Sequence, residues 1–266
     1  MKIEKSGIIE GKNKKILKNI RLATQSDFNF ISKWLKEEFD KYGEGFWNNI
    51  SVIADCFSEK QLFVYIYDNV AIGFITGPID GPSILNIKKG YKRKGVGRKL
   101  FKYILGEAIK NKISVIKVEC NPKSSINFWK KMGFLIEEIN NKNLGYLIIE
   151  YKNDASNTNP VEVSINTYSE DMYRKSETKP LLSCSLKAFI QNDGRVFFRK
   201  RLFLRKGELL KEFDKDLVLS IKIDGKEIYF DKAKRPAAER IGIRKSEHDY
   251  GYYIDYLEIK NRKINE

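Results

Sequence analysis

The sequence predicts an α/β (α+β) fold for its first half, a mixed sheet with flanking helices, and a mostly β second half, either a sandwich or a barrel. Three observations carry this. Up to residue 151, β-rich runs are interleaved with stretches at helical spacing. Residues 152–160, KNDASNTNP, are polar and end in proline, as linkers do. Beyond them the chain turns to short strands punctuated by Asn-Asp-Gly and Asp-Gly. The expected division is a domain over 1–152, a linker over 153–160 and a β-rich domain over 161–266. With 266 residues, 42% of them hydrophobic, two cores can be filled.

Taken in order, residues 19–24 read as a short strand. Ser26 or Asp27 is placed to cap a helix through Ile31, Trp34, Leu35 and Phe39. Gly43 and Gly45 break the next stretch, and Phe46, Trp47, Ile50 and Ile53 suggest a second, shorter helix. Residues 61–67 and 70–76 form a hairpin about Asp68-Asn69. Residues 84–87 make a strand, a basic glycine-containing loop follows, and a long helix runs from Val96 to about Lys110. A strand over 115–119, a helix over 124–132 and strands near 134–139 and 146–151 complete the first half. The second half reads as strands over 161–168, 182–191 and 195–204, then hairpins joining 217–223 to 227–231 and 241–244 to 252–259. A short helix is expected near 208–213.

Composition narrows the function classes. Three scattered cysteines, Cys56, Cys120 and Cys184, make no CxxC pair, which suits a reducing compartment and a cytoplasmic location. The basic start lacks the apolar core of about 7–15 residues that a signal peptide needs. No run approaches the roughly 20 apolar residues that span a bilayer. The net charge of +15 is uneven: residues 1–153 carry 27 Lys and Arg against 16 Asp and Glu, and residues 154–266 carry 23 against 19. Such charge admits a nucleic acid, an acidic membrane surface or a phosphate-rich small molecule.

The most informative stretch is IKKGYKRKGVGRKL, residues 87–100: a strand end, a cation cluster, two glycines two apart and a helix start. Glycines let the backbone approach a ligand, the first helical turn presents unpaired N–H groups, and the helix dipole favours negative charge. Lys92, Arg93, Lys94, Gly95, Val96, Gly97, Arg98 and Lys99 together read as an anion cradle. Downstream, VECNP (118–122) leads into SSINFWKKMGF (124–134).

These two motifs, in this order, resemble the GCN5-related N-acetyltransferase (GNAT) family. There a strand is followed by Q/R-x-x-G-x-G/A and a helix, and later by a strand with Asn near its end and a helix closing in F-Y/W-x-K-x-G-F. KRKGVG, residues 92–97, matches the first, with Lys92 where Gln or Arg is usual. IRLATQSDFNFISKWL resembles the family's opening strand and helix, so the likeness covers about residues 18–151. It implies acetyl-CoA as co-substrate, with its pyrophosphate on residues 92–99 and its pantetheine arm between splayed strands. Leu85 and Ile87 would then be backbone ligands, Asn121 a side-chain ligand and Trp129 a wall of the channel.

The implied reaction is direct attack of an amine on the thioester. The family's Tyr acid is replaced by Trp129, and no Glu lies on residues 84–87. Asp80, Glu119 and Glu44 are the carboxylates left to act as base, Asp80 and Glu119 foremost. Cys120 has no nearby histidine, because the single one, His248, lies in the second half, and one histidine gives no metal site. Trp34, Phe39, Tyr42, Phe46 and Trp47 are expected as core or as the acceptor pocket.

The second half resembles no family. Its aromatics, Phe197, Phe203, Tyr253 and Tyr256 among them, interleave with Arg195, Arg199, Arg201 and Arg205. That pattern fits either a stacking surface or ordinary strand alternation. The expected partner is an amine acceptor, a small molecule or a protein, with no membrane and with a homodimer admitted. The alternative is a degenerate acetyltransferase fold that binds nucleic acid or protein.

Overall fold

The computed structural model describes residues 19–153, 159–170, 179–206 and 216–259. The basic start, residues 154–158 of the expected linker and the helix expected near 208–213 lie outside the described residues. The chain divides into two compact units, Met1–Leu147 and Ile148–Glu266.

Unit 1 runs β1 (Ile20–Leu22), α1 (Gln25–Tyr42), a 3-10 turn (Trp47–Asn49), α2 (Ile50–Ser58), β2 (Leu62–Tyr67), β3 (Val70–Thr76), β4 (Ile84–Ile87), α3 (Val96–Lys110), β5 (Val115–Glu119), α4 (Ile126–Lys131), β6 (Leu135–Ile139) and β7 (Lys142–Ile148). The cap of α1 is Thr24, two residues before Ser26 and three before Asp27, the positions the sequence suggested. Thr24 and Asp27 form a reciprocal capping box, which makes Asp27 the third helical residue and buries it. Burial alone pushes the Asp27 carboxyl up, but hydrogen bonds from Arg21 and Thr24 outweigh it and hold the group below the usual carboxylate range.

Two sheets result, β1-β2-β3-β4 and β5-β7-β6. The β2–β3 hairpin turns through Asp68 and Asn69, both at positive φ, as a tight turn that follows the strand twist requires. Alternation then sorts the first sheet, reset by a bulge at Ile72, the extra residue of β3 between the partners of Tyr65 and Ile66. One face, with Phe74 and Ile84, packs on Ile31, Trp34 and Leu35 of α1. The other, with Ile72 and Ile75, packs on Val96, Leu100 and Ile104 of α3, flanked by Leu85 and Ile87. The sheet is thus a layer between helices on both faces.

Unit 2 contains β8 (Pro160–Ser169), β9 (Leu182–Ile190), β10 (Arg195–Arg205), β11 (Leu217–Ile223), β12 (Lys226–Lys232), α5 (Pro236–Arg240), β13 (Ile243–Lys245) and β14 (Gly251–Glu258). The strands form one antiparallel sheet in the order β12-β11-β8-β9-β10-β14-β13. Its inward residues, Val163, Ile165, Val196, Phe198, Ile221 and Ile254 among them, make one core with Ala238 of α5. The short helix α5, entered through Pro236 in its first turn, carries no signal that separated it from a loop in the sequence. Three of the four interleaved arginines lie on aromatic rings of their own unit. Arg195 covers Phe197 and Tyr256, Arg199 covers Phe189, and Arg201 lies between Tyr151 and Tyr253. Among the described residues, no helix is long and apolar enough to cross a membrane.

Candidate active site

The site begins where the two sheets of unit 1 part. The N–H of Lys117 on β5 donates to the carbonyl of Asp80 at 2.8 Å, just ahead of β4. Beyond that point β4 and β5 belong to separate sheets and share no ladder. Antiparallel pairing fixes which backbone groups of β4 face the gap. The N–H of Lys88 donates to Ile72 of β3, and residues two apart point the same way, so Asn86 and Ile84 also face β3. Leu85 and Ile87 therefore turn their backbone N–H and C=O groups away from β3, toward the gap. One of these groups is already engaged: the Ile87 N–H donates to Oδ1 of the buried Asn86 side chain at 2.9 Å.

At the end of β4 the chain makes a 3-10 turn (Lys89–Tyr91) and enters α3 through two left-handed residues, Arg93 at φ 62° and Gly95 at φ 80°. Gly95 is the N-cap and supplies no side chain to accept the first-turn N–H groups, which α3 itself cannot pair. A methyl added at Gly95 would meet nothing within 4 Å, and one at Gly97 would stand 3.5 Å from Phe128 and 3.7 Å from Leu85. The Gly95 position opens outward, and Gly97 abuts α4 and β4. Lys92, Arg93, Lys94 and Arg98 are exposed around it, with Lys94 over the Tyr91 ring. Lys99 is placed differently, on Tyr65: its ammonium donates to the Tyr65 hydroxyl at 3.0 Å and lies over the ring.

Residues 58–136 match the model of the acetyltransferase (GNAT) domain. Unit 1 carries a GNAT domain. Solved structures similar to the chain include PH1933 from Pyrococcus horikoshii OT3, at 19% identity over 49% of this chain and 97% of that one, with a TM-score of 0.41. PaiA N-acetyltransferase from Thermoplasma acidophilum, solved with coenzyme A, is 15% identical over 49% and 98%, with a TM-score of 0.39. Ard1 from Thermoplasma volcanium is 19% identical over 49% and 96%, at 0.38. No curated protein matches the chain.

The remaining candidates of the GNAT domain fall in different places. Trp129 is buried and packs edge-on against Phe101, Phe128 and Phe134. Asn121 is exposed just beyond β5. Glu119 is exposed and paired with Lys142 at 3.2 Å. Asp80 is half-buried where the sheets meet. Burial pushes the Cys120 thiol up, which favours the protonated, unreactive form. Of the aromatic set, Trp34 is core, Phe46 and Trp47 pack against that core and Tyr42 is exposed. Among the described residues no group of three or more His, Cys, Asp or Glu could hold a metal. Sequence reasoning missed Asn86, although a lone polar residue in ILNI was its signal, and Glu38, which had none.

Proposed function

We propose that the GNAT domain transfers the acetyl group of acetyl-CoA to an amine acceptor. The observation that carries this reading is the gap between β4 and β5, lined by the outward backbone of Leu85 and Ile87 and ending at an uncapped, glycine-led helix start ringed by cations. The residues suit the coenzyme in two respects. The gap offers strand-like hydrogen bonding to an extended arm, and residues 92–98 offer orphan N–H groups and positive charge to a pyrophosphate. Acetyl-CoA supplies the activated acyl group when bound.

This chain's residues then bind, orient and handle protons. Leu85 and Ile87 align the arm through their backbone. Lys92, Arg93, Lys94 and Arg98 neutralise phosphate, while Lys99 packs on Tyr65 and props the helix. Trp129 keeps α4 against α3 rather than donating a proton, since an indole N–H is no usable acid. Orientation supplies much of the rate in such a transfer. The amine's proton leaves through water toward Asp80, the carboxylate at the closed end of the gap.

The test is calorimetric titration with acetyl-CoA, with short duplex DNA as control in the same salt, followed by release of free thiol in the presence of amines. Saturable one-site binding and amine-dependent thiol release support the reading. DNA binding without acetyl-CoA binding would replace it with a nucleic-acid module.

A further inference from the structure

One ridge of α1 reaches the entry of the coenzyme loop. Phe30, Trp34, Glu38 and Tyr42 are spaced four apart and so share one face of the helix. Trp34 is buried against Phe74 of β3. The others meet the loop: Lys88 lies over Phe30 with its ammonium 4.9 Å from the ring centre, and Lys89 lies over Tyr42 at 3.1 Å. Between them the half-buried Glu38 accepts the backbone N–H of Lys89 at 2.7 Å, across 51 residues of sequence.

We propose that Glu38 is a positioning residue that fixes the entry of the coenzyme loop, and through it the aim of the first-turn N–H groups of α3. Lys89 opens the turn that leads through Arg93 and Gly95 into the helix, so a carboxylate on its N–H sets where that turn begins. A charge-assisted bond to a backbone N–H is stronger and more directional than a neutral one. It also balances a stretch that otherwise carries only cations: Lys88, Lys89, Lys92, Arg93 and Lys94. Glu38 has no part in the chemistry. Its contribution is a loop already in its binding shape, which lowers the ordering cost of ligand binding.

The consequence for binding rests on the acetyl-CoA reading above, but the positioning itself can be measured without ligand. Amide exchange over residues 88–95 of the full chain is compared for wild type, Glu38→Ala and Glu38→Gln, with thermal unfolding measured alongside. The expected result is exchange about tenfold faster in Glu38→Ala at nearly unchanged melting temperature, with a smaller increase in Glu38→Gln, whose amide oxygen still accepts the bond but without the charge. Acetyl-CoA titration should then show Kd raised about tenfold in Glu38→Ala and partly restored in Glu38→Gln, with kcat little changed. Equal exchange in all three proteins would overturn the positioning role. Altered exchange in a chain that binds no acetyl-CoA would uphold it and refute the proposed function instead.

Discussion

The side-chain carbonyl of Asn86 accepts the backbone N–H of Ile87 at 2.9 Å, on the strand edge that faces the gap. A bound thioester carbonyl seeking that N–H must displace a neutral acceptor first. Removing the acceptor frees the donor, so Asn86→Ala should favour acetyl-CoA over coenzyme A, whose free thiol has no carbonyl. One net hydrogen bond is worth about 1 kcal/mol, so the ratio of the two dissociation constants should move by up to about fivefold. Titration of both ligands against both proteins measures this. An unmoved ratio would show that Ile87 does not serve the carbonyl.

Two glycines of the loop should respond differently to the same substitution. Gly95 has open space around it but φ at 80°, so Gly95→Ala costs backbone strain of about 1 kcal/mol. At Gly97, which has ordinary φ, a methyl makes only van der Waals contact with Phe128 and Leu85. Gly97→Ala should therefore leave the melting temperature nearly unchanged, while Gly97→Trp fills the cradle and abolishes acetyl-CoA binding. Unchanged binding in Gly97→Trp would place the coenzyme elsewhere.

These features differ in how far the sequence shows them. The loop and its glycines are local, and a strand end, a cation cluster and a helix start can be read without tertiary information. Both the Asp68-Asn69 hairpin and the Asp224-Gly225 turn are fixed by residues that tolerate positive φ, so their strands are legible too. The Thr24 cap was misplaced because Thr24, Ser26 and Asp27 all suit the position, and only the reciprocal bonds decide. Glu38 was out of reach for a different reason. On an exposed turn of α1 it looks like any solvated carboxylate, and its partner is 51 residues away. Likewise, the alternation in RVFFRKRLFLR could not show that Arg195, Arg199 and Arg201 would lay their faces on rings of the same unit.

Asp27 supplies a pH prediction with a definite sign. Its folded-state pKa lies below the ordinary carboxyl value of 3.8, so its stabilisation is complete above that value and disappears as pH falls through the folded pKa. Asp27→Asn should cost about 1–2 kcal/mol near neutrality, as loss of a capping partner does. The difference between the two proteins should shrink below about pH 3.8. Denaturant unfolding from pH 7 down to about pH 2 would show the two curves drawing together as pH falls. A gap that stays constant over that whole range would mean the effect is packing rather than charge.

The proton route through Asp80 can be separated from binding. Asp80→Asn keeps the backbone carbonyl that accepts the Lys117 N–H, so the meeting point of the sheets is preserved. It should lower kcat by about 10²-fold or more, as loss of a general base does, with acetyl-CoA affinity unchanged. Glu119→Gln, which loses only a partly exposed pair with Lys142, should leave kcat within about twofold. The reverse pattern would reassign the base.

In unit 2, Arg201 holds Asp255 through two parallel bonds at 2.9 and 2.8 Å while lying between the rings of Tyr151 and Tyr253. A lysine keeps the charge but neither the fork nor the stacking plane, so Arg201→Lys should destabilise this unit by about 2–3 kcal/mol. The same unit has an alkaline signature. Burial pushes the Tyr151 hydroxyl up to about 12 against the opposing effect of Arg201, and burial raises Tyr252 to about 12 as well. Both tyrosines ionise more readily in the unfolded chain. Their contribution to stability is therefore complete below about pH 10 and is lost as pH rises from there toward 12. Absorbance titration of tyrosinate should show a late fraction that ionises together with loss of β-sheet circular dichroism. Full ionisation near pH 10 with the fold intact would mean that these hydroxyls are open to water.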